Sequence, residues 1–132
     1  MHLLRLPLIF ALLALVSACS ILPEQYDETK DWSVKQFYEE AHSALESGDY
    51  QTAIDLYAKL EARYPYGRYA QQAQLETAYA HYKAEEPAAA IAAAERFIKL
   101  HPRHPHVDYA YYLRGLASFE QGHNFLERFF PQ

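Results

Sequence analysis

The chain has 132 residues, 51% of them hydrophobic and 22% charged, which provides apolar material for a core but room for no more than one small domain or a short repeat array. Its formal net charge of −5 argues against nucleic acid as a partner. Tyrosine dominates the aromatic residues, with 12 copies, and the single cysteine has no disulfide partner in the sequence.

The first element is "MHLLRLPLIFALLALVSA", residues 1–18, where Arg5 precedes an apolar run from Leu6 to Val16 and small residues follow. That is the pattern of a secretory signal peptide, and the run is shorter than the roughly 20 residues a membrane-spanning helix needs. Cys19 follows directly in "LVSACS". The motif resembles the lipobox of bacterial lipoproteins, which implies acylation of the Cys19 thiol and cleavage before it, so that the membrane is reached through an N-terminal lipid. Ser20 in place of aspartate implies, for that resemblance, sorting to the outer membrane with the protein facing the periplasm. Residues 19–31 contain "SILPEQYDETKD", polar with one proline, and are expected to tether the lipid to a folded region over residues 32–132.

From Trp32 onward no window alternates as a strand would, and apolar residues recur at helical spacing. The pattern predicts helices over about 33–47, 50–63, 68–84, 87–100 and 107–121. Gly48-Asp49 divides the first two, "YPYG" at 64–67 ends the second, Pro87 suits a first helical turn, and Pro102 and Pro105 stop the fourth. The fold class is therefore all-α.

Shifting the sequence against itself by 37 residues aligns Ala41 with Ala78 and Gly115, Ala53-Ile54 with Ala90-Ile91, Leu60 with Phe97, Pro65 with Pro102, and, after two shifts, Gly48 with Gly122. Small residues in the first set are expected to let two antiparallel helices approach closely. This pattern resembles the tetratricopeptide repeat: a small residue in helix A, alanine and an aromatic in helix B, then proline. Tyr57 supplies the helix B aromatic in the first repeat; Ala94 stands there in the second. The resemblance implies a solenoid of antiparallel helix pairs, about two and a half repeats over 33–66, 70–103 and an incomplete 107–132. The long period implies extra residues in the A–B connections.

In such an array the A helices line the concave face. The inward positions are Tyr38, His42 and Leu45, then Gln72, Leu75, Tyr79 and Tyr82, then Tyr109, Tyr112, Leu116 and Phe119. An aromatic stripe of this kind serves either as core or as a peptide-binding surface. Tyr64, Tyr66 and Tyr69 crowd the turn between the first two repeats, where Gly67 is expected to take a positive φ. They are expected to share inter-repeat packing and partner contact.

No Ser-His-Asp or Cys-His arrangement and no phosphate-cradling glycine loop is present. The prolines of "HPRHPH" at 101–106 hold three histidines at a spacing unlike a helical ligand pair, which reads as a rigid connection rather than a metal site. Neither an enzyme nor a bound cofactor is expected.

The segments "AIDLYAKLEARYPYGRYAQQAQLETAYAHYK" and "RFIKLHPRHPHVDYAYYLRGL" closely resemble the BamD (ComL) family, lipoproteins of the outer-membrane β-barrel assembly machinery, and the likeness runs from Cys19 to about Phe130. The resemblance implies a periplasmic, outer-membrane-attached scaffold. It would bind the insertase BamA, carry BamC- and BamE-type lipoproteins, and engage the C-terminal targeting signals of unfolded outer-membrane proteins. The family has five repeats, so the sequence reads as truncated after Gln132, within the third repeat. The family's main contact with BamA lies in its C-terminal repeats, which leaves the N-terminal repeats linked to substrate and BamC. A periplasmic repeat adaptor unrelated to barrel assembly would share the same groove.

Overall fold

The computed structural model describes residues 27–129, with side chains as far as residue 125. The signal segment and Cys19 lie outside the described residues. The chain divides into two units, Met1–Lys30 and Asp31–Gln132. Of the first, the described part is a turn in which the Thr29 amide and hydroxyl both donate to the Asp27 carboxylate, at 3.0 and 2.6 Å. All described helices belong to the second unit.

Helix α1, Val34–Ser47, starts where the Ser33 hydroxyl accepts a hydrogen bond from the Gln36 amide, and stops at Gly48, whose φ of 84° is left-handed. Its buried stripe is Phe37, Ala41 and Leu45, one residue per turn on one face. Helix α2, Tyr50–Arg63, is capped by the Asp49 side chain and buries Ala53, Tyr57 and Leu60. It ends before Pro65, because the residue preceding a proline is driven out of the helical region and Tyr64 adopts φ −130° and ψ 72°.

Helix α3, Arg68–Lys83, begins after Gly67, whose φ of 97° and ψ of 178° suit glycine alone, as expected from the sequence. Helix α4, Pro87–Leu100, has its proline in the first turn, where no amide partner is lost. Helix α5 is Val107–Phe129. The sequence pattern predicts a stop near residue 121, yet the helix runs on through Gly122. A lone glycine costs a helix only about 1 kcal/mol, and neither proline nor a capping sequence occurs between Gly122 and Phe129.

Each helix packs against the next, and α3 also meets α1 while α5 also meets α3. Two antiparallel pairs, α1–α2 and α3–α4, are thus stacked and followed by α5, with α1, α3 and α5 side by side. This is the tetratricopeptide arrangement. Ala41 and Ala78 are fully buried, in keeping with their role at close approaches. Gly115 is not: it is exposed, and a Cβ placed on it meets nothing within 4 Å. Helix α5 instead buries Ala110, Leu113 and Ala117, the first two in one apolar cluster with Phe97 and Ala94 of α4.

The period also departs from expectation in its detail. The A–B hairpins are tight, connecting through Gly48-Asp49 and through 84–86, so they carry no insertion. The added length lies in the B–A connections at 64–67 and 101–106, and in α3, which has 16 residues where α1 has 14. The longer connection is held by ring contacts: His101, tilted, and His104, edge-on, lie 5.2 and 5.1 Å from the buried Phe97 ring. His101 is also joined to the Gln74 side-chain carbonyl at 2.7 Å, and Gln74 donates to Glu61, which pairs with Arg96 at 2.8 Å. That chain of polar contacts ties α2, α3, α4 and the 101–106 connection together.

Candidate functional site

The three tyrosines of the 64–69 turn diverge. Tyr64 turns inward, its hydroxyl donating to the Trp32 carbonyl at 2.9 Å and its ring edge-on to Phe37 at 6.4 Å. Tyr69 leans on Tyr38, with ring centroids 5.3 Å apart, and carries the Arg68 guanidinium over its face at 4.9 Å. Tyr66 is 89% exposed, the most exposed large hydrophobic side chain among the described residues. One turn thus supplies a core ring, an inter-repeat ring and a free ring.

A cleft of about 440 Å³ opens along the side where the A helices meet. Its near wall is His42 and Leu45 of α1; its floor is Gln72, Leu75, Glu76 and Tyr79 of α3. Its far wall is His106, Asp108 and Tyr109, at the start of α5. Of the positions expected to face inward, the structure brings His42, Leu45, Gln72, Leu75, Tyr79 and Tyr109 to this cleft. Leu75 and Leu45 are buried there, contributing apolar floor.

The other inward positions are placed differently. Tyr38 stands behind the cleft, within the hydrogen-bond network described next. Tyr82 and Tyr112 extend the aromatic strip beyond the lining, and Tyr112 lies 6.1 Å from Tyr109. A hydrogen bond to Glu120 is the main reason the Tyr82 phenol is pushed up from its usual pKa. Phe119 is exposed. Tyr64, Tyr66, Gly67 and Tyr69 are outside the cleft lining.

At the floor sits Glu76, a residue the sequence pattern does not single out, with a side chain only 12% exposed. Tyr38 Oη and Gln72 Nε2 donate to its Oε1 at 2.7 and 2.8 Å. Tyr57 Oη donates to Oε2, and His42 Nδ1 lies 3.0 Å from the same oxygen. The second imidazole nitrogen faces Glu46 at 3.6 Å, so His42 bridges two carboxylates. Burial alone would push the Glu76 carboxyl up, but the bonds from Tyr57, Gln72, His42 and Tyr38 outweigh it and hold the group below its usual range. Burial, with Glu76 as acceptor, pushes the phenols of Tyr57 and Tyr38 well above theirs. At neutral pH the floor is therefore a carboxylate held by two un-ionised phenols, the Gln72 amide and the His42 imidazole.

The next repeat shows that stacking does not demand this arrangement. Thirty-seven residues on from Tyr57 and Glu76 stand Ala94 and Leu113, both buried in one apolar cluster. The same junction between repeats is thus built once with a phenol and a carboxylate and once with hydrocarbon. Periodicity could have exposed Glu76 by this comparison: an acid occupies a position that is leucine one repeat later.

Among the described residues no group of three His, Cys, Asp or Glu side chains is placed to hold a metal ion, and no helix is long and apolar enough to cross a membrane. No buried side-chain nitrogen or oxygen among them lacks a partner. What the site offers is surface and hydrogen bonding: half-buried aromatic walls, a fixed negative floor, and two histidines.

Residues 30–129 match the sequence profile of the YfiO family, described as outer membrane lipoprotein. Similar curated proteins are named outer membrane protein assembly factor BamD. That of Neisseria meningitidis serogroup B is 51% identical over 104 residues, covering 79% of this chain and 39% of the relative. That of Vibrio cholerae is 41% identical over 118 residues, 89% of this chain and 48% of the relative. That of Xylella fastidiosa is 38% identical over 95 residues, 72% of this chain and 32% of the relative. The chain spans less than half the length of these relatives.

Proposed function

The chain belongs to the YfiO family of outer membrane lipoproteins, and from that premise we propose that it is a non-enzymatic scaffold in the assembly of outer-membrane β-barrel proteins. In this reading Cys19 carries the lipid, residues 20–31 are the tether, and the repeats stand on the periplasmic face. The curated relatives are named as assembly factors, and repeat solenoids act through their concave surfaces. The partners we infer are the BamA insertase, BamC- and BamE-type lipoproteins, and unfolded barrel proteins.

The observation that carries the reading is the open cleft across α1, α3 and α5. Barrel strands alternate apolar and polar side chains with aromatic residues near the membrane interfaces, so an extended barrel segment presents rings at two-residue spacing. Tyr79 and Tyr109 offer it broad contact at low entropic cost, Leu45 and Leu75 give an apolar base, and Tyr66 and Tyr112 add exposed rings at the margins. The occupant proposed is the C-terminal targeting signal of an unfolded outer-membrane protein.

The test is binding of a labelled barrel C-terminal peptide to the full chain purified in detergent. Saturable binding that weakens in Tyr109→Ala and Tyr66→Ala, with melting unchanged in the latter, is the expected result. Equal binding of a scrambled peptide of the same composition would leave a general helical adaptor and overturn the targeting-signal reading.

A further inference from the structure

We propose that the cleft reads the side chains of its ligand and not its chain end: it accepts a lysine or arginine set among aromatic residues and disfavours a terminal carboxylate within it, so that a C-terminal signal lies with its last carboxylate outside the cleft. This rests on the cleft being the segment-binding site, and deepens that reading by naming the chemistry of the bound segment.

A groove that captures a carboxylate needs donors aimed outward or a fixed cation. Here the donors that surround Glu76 are already committed. The hydroxyls of Tyr38 and Tyr57, the Gln72 amide and His42 Nδ1 all converge on Glu76, which occupies the place a ligand carboxylate would take. Among the described residues that line the cleft there is no lysine or arginine; the charged groups are Glu76 and Asp108, with the two histidines. A third acid, Glu46, stands on the outer side of His42. An arriving carboxylate would thus meet like charge from Glu76, Asp108 and Glu46, with the donors around Glu76 already engaged.

A cation meets the reverse. Asp108 is exposed at the far wall, one of its oxygens accepting from the Tyr109 amide at 2.8 Å, and Tyr79 and Tyr109 line the same cleft, rings of the kind that take a guanidinium or ammonium group. The protein uses that contact in its own structure, with Arg63 over Phe37, Arg68 over Tyr69 and Arg114 over Tyr111, each about 5 Å from the ring centre. The aliphatic stem of such a side chain would lie along Leu45 and Leu75. The acid at the floor is a choice beyond stacking, since Leu113 fills the equivalent position one repeat later.

The experiment compares three labelled ten-residue peptides of one alternating aromatic sequence on the detergent-solubilised full chain by fluorescence anisotropy. One has an internal arginine and an amidated end, one the same arginine and a free acid, and one glutamine for arginine with the amide. We expect the glutamine peptide to bind about fivefold more weakly, as for one ion pair or cation–π contact at a partly exposed site, and the free acid to bind more weakly than the amide. Asp108→Asn, a change at an exposed position, should remove most of the arginine preference. Equal binding of all three peptides, or tighter binding of the free acid, overturns the inference while leaving segment binding intact. Binding of none of them overturns the proposed function and this inference together.

Discussion

Tyr57→Phe removes one oxygen atom from a fully buried ring and nothing else. The hydroxyl lost is a donor to the anionic Glu76, and a hydrogen bond to a charged partner contributes about 1.5–3 kcal/mol. At roughly 4–8 °C per kcal/mol for a domain of this size, melting should fall by on the order of 10 °C. The informative measurement is the double-mutant cycle with Glu76→Ala. Removing the acid orphans the Tyr57 hydroxyl where water has no access, while Tyr38, Gln72 and His42 are half-buried and can turn to the cleft. In the Glu76→Ala background Tyr57→Phe should then be neutral or stabilising, since it deletes a buried unsatisfied group. Urea denaturation followed by helical circular dichroism gives all four corners. A coupling energy below about 0.5 kcal/mol, the ordinary scatter of independent sites, would refute the network as described.

The carboxylate also fixes a pH dependence. The folded Glu76 pKa is depressed, so its stabilisation is complete above the unfolded value of about 4.3 and is lost as pH falls through the lower folded value; Glu76→Gln should flatten that acid limb. The phenols of Tyr57 and Tyr38 are shifted upward, so stability should decline as pH rises past about 10, where the unfolded phenols ionise, and Tyr57→Phe should blunt that decline. Ala78→Phe, at a fully buried site, should destabilise by about 1–3 kcal/mol through overpacking, whereas Gly115→Ala, with open space around it, should stabilise by up to about 1 kcal/mol; the opposite order of melting temperatures would mean the repeat register is misassigned. Cys19→Ser should release the protein from the outer-membrane fraction, and unchanged fractionation would refute the lipid anchor.

Local signals made most of the fold legible. Ser33 and Asp49 cap α1 and α2, Gly48 and Pro65 terminate them, and Pro87 opens α4, each acting within a few residues of where it stands in the chain. The end of α5 was not legible, because a glycine marks a stop only where tertiary packing turns the chain, and Gly122 lacks such packing among the described residues. The cleft was legible as a face: helical periodicity placed His42, Gln72, Tyr79 and Tyr109 on one side. Its chemistry was not. Glu76 meets Tyr38 and Tyr57 across 38 and 19 residues of sequence, and in its own helix it reads as one more solvent-facing acid. At 64–69 the expectation joined packing with partner contact: Tyr64 and Tyr69 carry the packing, and Tyr66 stands exposed outside it.

An apolar pair at the Tyr57–Glu76 position would have been the simpler way to join two repeats, as Ala94 and Leu113 demonstrate in the same molecule. Burying a carboxylate instead costs solvation free energy that its hydrogen bonds only offset, so the arrangement is poorly explained as a device for stability. What it adds is position. Four side chains from α1, α2 and α3 are fixed in direction by one acceptor, and hydrogen bonds specify geometry where hydrocarbon contact leaves side chains free to shift. The floor of the cleft thereby carries an anionic group beside its apolar and aromatic lining, with Tyr38 and His42 bonded to it. In the scaffold role proposed above, the site would hold many different unfolded segments and could not rely on close shape complementarity; a rigid charged floor beneath adaptable aromatic walls would then supply selectivity that tolerates variation in sequence.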